Sequence, residues 1–536
     1  MLNLRTRTIL VLAGTVVLSA TGWSQDAKPT EPEPAAPEPK VELSRFTLGY
    51  QSVKTNDNQF AFQRYVKVPH GLTVFDAKHI VPLSENWPYL SLYFAGGADD
   101  KVAELDLGSP AFRFAADYGD FRFYQTPFGP VRESKDTLFR AQADAQIGGH
   151  MGAFATVTSM KRDHPAVAPE PDQVHQSLEY TAGIGGNAPG GRFDVAASTR
   201  KTSETNGVYP AAERSTVQGR YSVGIGSKGS LEGGAGTTRI NQFGLASSTI
   251  QNYTLKGDYD FDDQTTLSAR VQQENYSLGP TVNAFTRRRL VSGLNLNTRV
   301  GKWNVQAGFS HKEQERWRTD QSYVDVPKWN DYTLKFSTRL SSESRLTVRG
   351  RKEQSLSLAQ IQTNDPRSLT IDERAMGQIK LDYFKDKFTG YLTYTADYRK
   401  NSFRDLQIDT NVVTIGGSYE LTEKANVFAE ASRDSYRVPA NLGQLGDYLG
   451  DYYTDSINYA LGLDYAPNTR DAYGIYWNYF QGYESLGYQM NLRYRRAYRP
   501  GQFIELNFAP WRYSDRVFGV ASYDSQIASI RFSVRQ

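Results

Sequence analysis

In the stretch TDSINYALGLDYAP, Thr454 to Pro467, an aliphatic or tyrosine side chain falls at every second position: Ile457, Tyr459, Leu461, Leu463 and Tyr465. Between them stand Ser456, Asn458, Ala460, Gly462 and Asp464. A strand turns successive side chains to opposite faces, so this segment has one apolar face and one small or polar face. Two environments accept such a strand. In a soluble sheet the apolar face covers a core and the polar face meets water; in a transmembrane barrel the apolar face meets lipid and the polar face lines a lumen.

The alternation recurs through the chain. In YTLKGDYDF, Tyr253, Leu255, Tyr259 and Phe261 share one face, and Thr254, Lys256, Asp258 and Asp260 the other. After Lys302, Trp303, Val305, Ala307 and Phe309 alternate with Asn304, Gln306, Gly308 and Ser310. In FTGYLTYTADYR, Phe388, Leu392, Tyr394, Ala396 and Tyr398 oppose Thr389, Thr393, Thr395, Asp397 and Arg399. Short turn sequences punctuate these runs near Gly119, Gly149, Pro189, Lys228, Asp262, Gly301, Ser342, Asp386, Glu423, Asn468 and Gly501. Their spacing is roughly 30 to 45 residues, room for two membrane-length strands and a loop. Longer polar stretches lie between them, such as Arg162–His175, Gln362–Arg374 and Val438–Tyr453. Short turns at one rim and long loops at the other mark an outer-membrane barrel whose short connections face the periplasm.

Composition separates the two environments. Of 536 residues only 39% are hydrophobic, yet there are 34 Tyr, 27 Phe and 45 Gly. Several soluble cores would need more aliphatic side chains, whereas a sheet closed on itself need not enclose a dry core. A propeller or β-helix would show a recurring blade motif or much shorter repeats, and neither is present. The apolar face is therefore expected outside. Strands on both sides of the turns predict an all-β, antiparallel up-and-down transmembrane barrel of about 26 strands, with a range of about 22 to 28. At about 4.8 Å per strand and a tilt near 40°, such a ring is roughly 50 Å across if circular. The segment before Glu85 reads as strand, plug or periplasmic extension.

The N-terminus has the form of an export signal. Arg5 and Arg7 precede the apolar run Thr8–Ala20, and small residues follow at Gly22 and Ser24. Residues 1–24 are read as a signal peptide, 25–42 as a Pro/Glu-rich periplasmic tether, and 43–536 as the barrel, which places the protein in the outer membrane of a Gram-negative-type cell. Cysteine is absent, which excludes disulfides, thiolate metal sites, iron–sulfur clusters and covalent haem attachment. A net charge of +3 does not call for nucleic acid, and no such partner is expected.

The stretch ENWPYLSLYFAGGADDKVAELDLGSPAFRFAADYGDFRFY, Glu85 to Tyr124, with RFTLGYQ at Arg45–Gln51, resembles the N-terminal barrel region of the MtrB/PioB family. The similar elements are the Tyr89–Leu92 strand, Asp99 and Asp100, the Glu104–Ser109 segment and the aromatic run around Gly119. Barrels of that family ensheath a multihaem c-type cytochrome. The resemblance thus implies a polar sleeve that positions such a partner for electron transfer, with haem c present only through the partner and no cofactor held by this chain. The chain lacks the C-x-x-C seen in part of the family. It also ends Phe532-Ser-Val-Arg-Gln536, where many barrels carry an aromatic residue read by the outer-membrane assembly machinery, itself an expected partner.

Lys256, Asp258, Asn458 and Asp464 are the candidate lumen-facing contacts. The alternative to a sheath is a wide diffusion porin or solute channel gated by its own loops. Basic runs at Arg287–Arg289 and Leu492–Arg499 read as solvated strand ends or as sites that draw anions to a channel. The six histidines, at 70, 79, 150, 164, 175 and 311, show no metal-ligand spacing. His164 and His175 fall in an expected loop. No phosphate loop, nucleotide fingerprint or calcium loop is present, and no enzyme is expected.

Overall fold

The computed structural model describes residues 44–57, 62, 70–81, 89–97, 100–124, 133–164, 172–205, 211–242, 247–277, 286–316, 328–355, 373–401, 406–438, 452–482, 485–516 and 522–535. The expected signal peptide (1–24) and tether (25–42) lie outside these residues. A meander of 26 strands runs from β1 (Ser44–Asp57) to β26 (Tyr523–Arg535), each antiparallel to its neighbours. The first and last strands pair in unbroken register from Arg45 opposite Arg535 to Asp57 opposite Tyr523. This closes the sheet into a barrel with no free edge.

The apolar faces find no core behind them. Among the described residues the buried apolar side chains are Phe62, Phe503, Ala509, Tyr523 and Ile527. Leu255, Leu392 and Leu461, from strands far apart in the chain, are instead 50%, 45% and 49% exposed. Leaving a large apolar side chain in water forgoes about 1.5–3 kcal/mol relative to burying it. Repeated around the ring, that cost is removed by lipid, and the polar face is then the inner one. The wall is an outer-membrane β-barrel.

The seam between β1 and β26 is fastened on the inner face. The hydroxyls of Thr47 and Ser533 stand 2.9 Å apart, and Ser525 Oγ donates to Thr55 Oγ1 at 2.9 Å. On the other side of β1, β2 (Gly71–Val81) carries a bulge: Thr47 pairs with Asp76 and Leu48 with Val74, which leaves Phe75 as the extra residue. The Phe75 ring lies over Gly49 and beneath the Arg531 guanidinium, whose Cζ is 4.0 Å from the ring centroid. Within the segment before Glu85, β1 and β2 are thus wall, and β1 supplies the closure.

Most of the anticipated turns are present. Asp386, between β18 (Glu373–Lys385) and β19 (Phe388–Asn401), adopts φ 48°, a left-handed conformation that Asp tolerates better than most residues. The turn expected at Gly119 is not there. β5 (Phe112–Tyr124) runs straight through it, and the chain reverses earlier, after β4 (Lys101–Gly108). There Ser109 N donates to Phe112 O at 2.6 Å, and Ser109 Oγ accepts from Phe112 N at 2.9 Å. Gly119 serves close packing instead, since an added Cβ would stand 2.5 Å from the Phe121 ring. His164 and His175 are not loop residues either. They lie in β7 (Met151–His164) and β8 (Gln173–Ala188), where ladder pairing continues to His164 opposite Gln173. The rim away from the short turns is uneven: its connections run as long as 356–372 and as short as 482–484.

Closure therefore depends on a close approach at Gly49, where a Cβ would meet the Ile530 carbonyl oxygen at 2.2 Å. Gly49→Val is expected to cost about 3 kcal/mol or more by overpacking a fixed backbone. Gly377→Ala, where a Cβ meets nothing within 4 Å, is expected to leave stability nearly unchanged. The check is the temperature at which the compact folded band is lost in gel electrophoresis of unboiled samples, lowered for the first variant and not for the second.

Candidate functional site

The candidate site is the inner wall. On it, long polar side chains from alternate positions of neighbouring strands meet across the ladder. In β12 (Ser248–Asp262), Lys256 Nζ lies 2.9 Å from Asp258, and Ser268 Oγ of β13 (Thr265–Tyr276) donates to the same carboxylate at 2.6 Å. Lys256 stands opposite Glu232 of β11 (Gly229–Gln242) and Arg270 of β13. In β22 (Tyr452–Tyr465), Asn458 Nδ2 donates to Ser432 Oγ of β21 (Ala425–Val438) at 3.4 Å. Asp464 accepts the Tyr476 hydroxyl of β23 (Asp471–Gln481), and Arg493 of β24 (Ser485–Arg499) stands 3.9 Å away.

The four residues anticipated from the sequence thus lie on the polar face but do not form one site. Lys256 and Asp258 are a pair. Asn458 and Asp464 are six positions apart along β22, about 20 Å at strand rise, and many strands lie between them and the first pair.

More tightly bonded groups escaped sequence reading. Arg351 of β17 (Ser344–Ser355) binds Asp331 of β16 (Lys328–Arg339) through Nε at 2.9 Å and Nη2 at 2.8 Å, and reaches Glu353 at 3.1 Å. Asp397 of β19 receives two bonds at 2.8 Å from Arg374 of β18 and a 2.7 Å bond from Arg399. Arg162 of β7 holds Asp136 through bonds of 2.8 and 2.6 Å. The signal was an Arg or Asp at the polar positions of alternating strands; which Arg meets which Asp depends on inter-strand register. Of the basic run Leu492–Arg499, Arg493 and Arg495 share the inner face, and Arg495 lies over the Phe503 ring at 3.7 Å.

One inner region is apolar. Phe62, from the connection between β1 and β2, is 0% exposed and packs on Ala509, Tyr523 and Ile527 beside Val53, Trp511 and Tyr513. Its ring meets Tyr523 edge-on at 5.3 Å and Trp511 at 6.4 Å. All of these wall residues occupy inward positions of β1, β25 (Gln502–Asp515) and β26, so the chain at Phe62 reaches inside the barrel. No group of His, Cys, Asp and Glu suited to a metal ion occurs among the described residues.

No protein-family profile matches the chain, and no curated protein does. Solved structures do. A variant of the ferric enterobactin receptor PfeA from Pseudomonas aeruginosa is similar at 8% identity and a TM-score of 0.50, over 92% of this chain and 81% of that one. The siderophore receptor PirA from the same organism matches at 9% identity and 0.48, over 92% and 80%. The FrpB iron transporter from Neisseria meningitidis matches at 8% and 0.48, over 92% and 82%. At such identity the shared property is the large closed barrel. These findings correct the expectation of a sleeve that positions a multihaem cytochrome for electron transfer: these similar structures are two siderophore receptors and an iron transporter, not cytochrome sheaths. The porin alternative is nearer in kind but is not what these structures are.

The Asp397 cluster yields a stability prediction. Removing its carboxylate takes the shared acceptor from two facing arginines, so Asp397→Ala is expected to lose about 1–3 kcal/mol. Urea unfolding of the barrel in lipid vesicles, followed by tryptophan fluorescence, reads that loss.

Proposed function

We propose that this chain is an outer-membrane transport barrel that passes polar solutes through its lumen. The observation that carries the reading is the inner wall itself. Around the ring its alternate positions hold hydrogen-bonded and ion-paired side chains such as Lys256–Asp258, Arg351–Asp331 and Arg374–Asp397. Side chains of one wall do not fill a ring of 26 strands, since barrels of 16 to 18 already leave a water-filled channel. Paired charges keep such a surface wetted at small net field, which suits a path for polar molecules. The buried apolar cluster around Phe62 narrows one side of that path. That a similar solved barrel is a ferric enterobactin receptor supports a transport role in general and does not select a cargo.

The experiment is efflux from liposomes that contain the folded full chain, loaded with salts and with sugars of graded size. Efflux well above that of protein-free vesicles, falling with solute size, is expected. Vesicles that hold correctly folded barrel and retain every polar solute would contradict the proposal.

A further inference from the structure

Many arginines of the inner wall have a carboxylate in reach, and β18 and β19 show why. Arg374 and Arg399 stand directly opposite each other in the ladder, and the Asp397 carboxylate bonds to both. Facing cations destabilise a sheet, and an anion shared between them relieves the repulsion.

On β16 and β17 the same arrangement occurs without the anion. Lys335 is directly opposite Arg349, and Arg339 is directly opposite Arg345, all four at inward positions. Among the described residues none of the four forms an ion pair, while the carboxylates nearby are engaged. Asp331 and Glu353 are bonded to Arg351, and Asp382, which faces Arg345, is held by Lys380 at 2.8 Å. The remaining cross-strand neighbours are neutral: Gln306 lies opposite Lys335, and Gln378 opposite Arg349. Arg345 and Arg349 are exposed to the lumen. On the outer face at the height of Lys335 and Arg349, Leu334 and Ile379 are exposed, so that pair stands at membrane depth, inside the wall.

We infer that Lys335, Arg349 and Arg345 form a lumenal binding site for a polyanionic solute that carries phosphate or carboxylate groups. One anionic group lies between Lys335 and Arg349 as Asp397 lies between Arg374 and Arg399, so a compact anion such as pyrophosphate tests that pair, and a longer solute also reaches Arg345, about 13 Å further along β17. The guanidinium fork suits both phosphate and carboxylate oxygens.

The inference deepens the transport reading by naming a class of solute, and binding tests it independently of flux. Inorganic pyrophosphate is titrated calorimetrically into the folded full chain in detergent, at fixed ionic strength set with a chloride salt. The double variant Lys335→Gln, Arg349→Gln is expected to bind about tenfold more weakly, the loss of one charge-assisted hydrogen bond or more. Without pyrophosphate the same variant should unfold at a temperature no lower than the parent, since it relieves repulsion. Absence of pyrophosphate binding to the parent, or equal binding to the variant, overturns the site. A parent that binds while its vesicles retain every solute keeps the site and removes the transport reading. Efflux without binding does the reverse.

Discussion

A backbone that crosses hydrocarbon must satisfy all its N–H and C=O groups within itself, because nothing in the bilayer core replaces a missing partner. A sheet meets that demand only when its last strand returns to its first. The continuous pairing of β1 with β26 is therefore the contact on which the rest depends. It explains why the seam is bonded on its inner face by Thr47, Ser533, Thr55 and Ser525. It also explains why the bulge at Phe75 sits next to it, where added local twist adjusts how the end of the chain meets its start.

Once the ring is closed, the two-residue period assigns everything else. A shift of one residue between any two strands would carry apolar side chains into water and charges into lipid. The cross-strand ion pairs of the inner wall strengthen that choice of register. Arg351 reaches Asp331 and Arg374 reaches Asp397 only when the strands stand as they do. The same geometry leaves Lys335 and Arg349 face to face, and register makes that pairing unavoidable once the flanking apolar residues point outward.

Closed barrel, lipid-facing apolar side and strand number were legible because each follows from local period and turn chemistry. The turn expected at Gly119 shows the limit of local signals. Asp and Gly read as a reversal, yet ladder pairing of β5 with strands on both sides and the ring of Phe121 outweigh them. His164 and His175 were assigned to a loop because a proline-containing polar stretch separates them, while the ladder extends to both. Alternation alone puts Lys256, Asp258, Asn458 and Asp464 on the polar face of their strands. Their grouping was not legible, since it depends on which residues of distant strands stand opposite one another. The role assigned through family resemblance failed for a related reason: short aromatic and acidic motifs in β3 (Tyr89–Gly96), β4 and β5 describe a barrel wall and carry no information about what occupies the lumen.

The central claim is that the small and polar face is inside and the apolar face meets lipid. Because the chain contains no cysteine, single cysteines can be placed without background at each position from Ile457 to Tyr465, spin-labelled, and measured in lipid vesicles for collision with oxygen and with a water-soluble nickel complex. The account predicts a strict two-residue alternation, with oxygen favoured at Ile457, Tyr459, Leu461 and Leu463 and nickel favoured at Asn458, Ala460, Gly462 and Asp464. Alternation of opposite phase, or none, would contradict it.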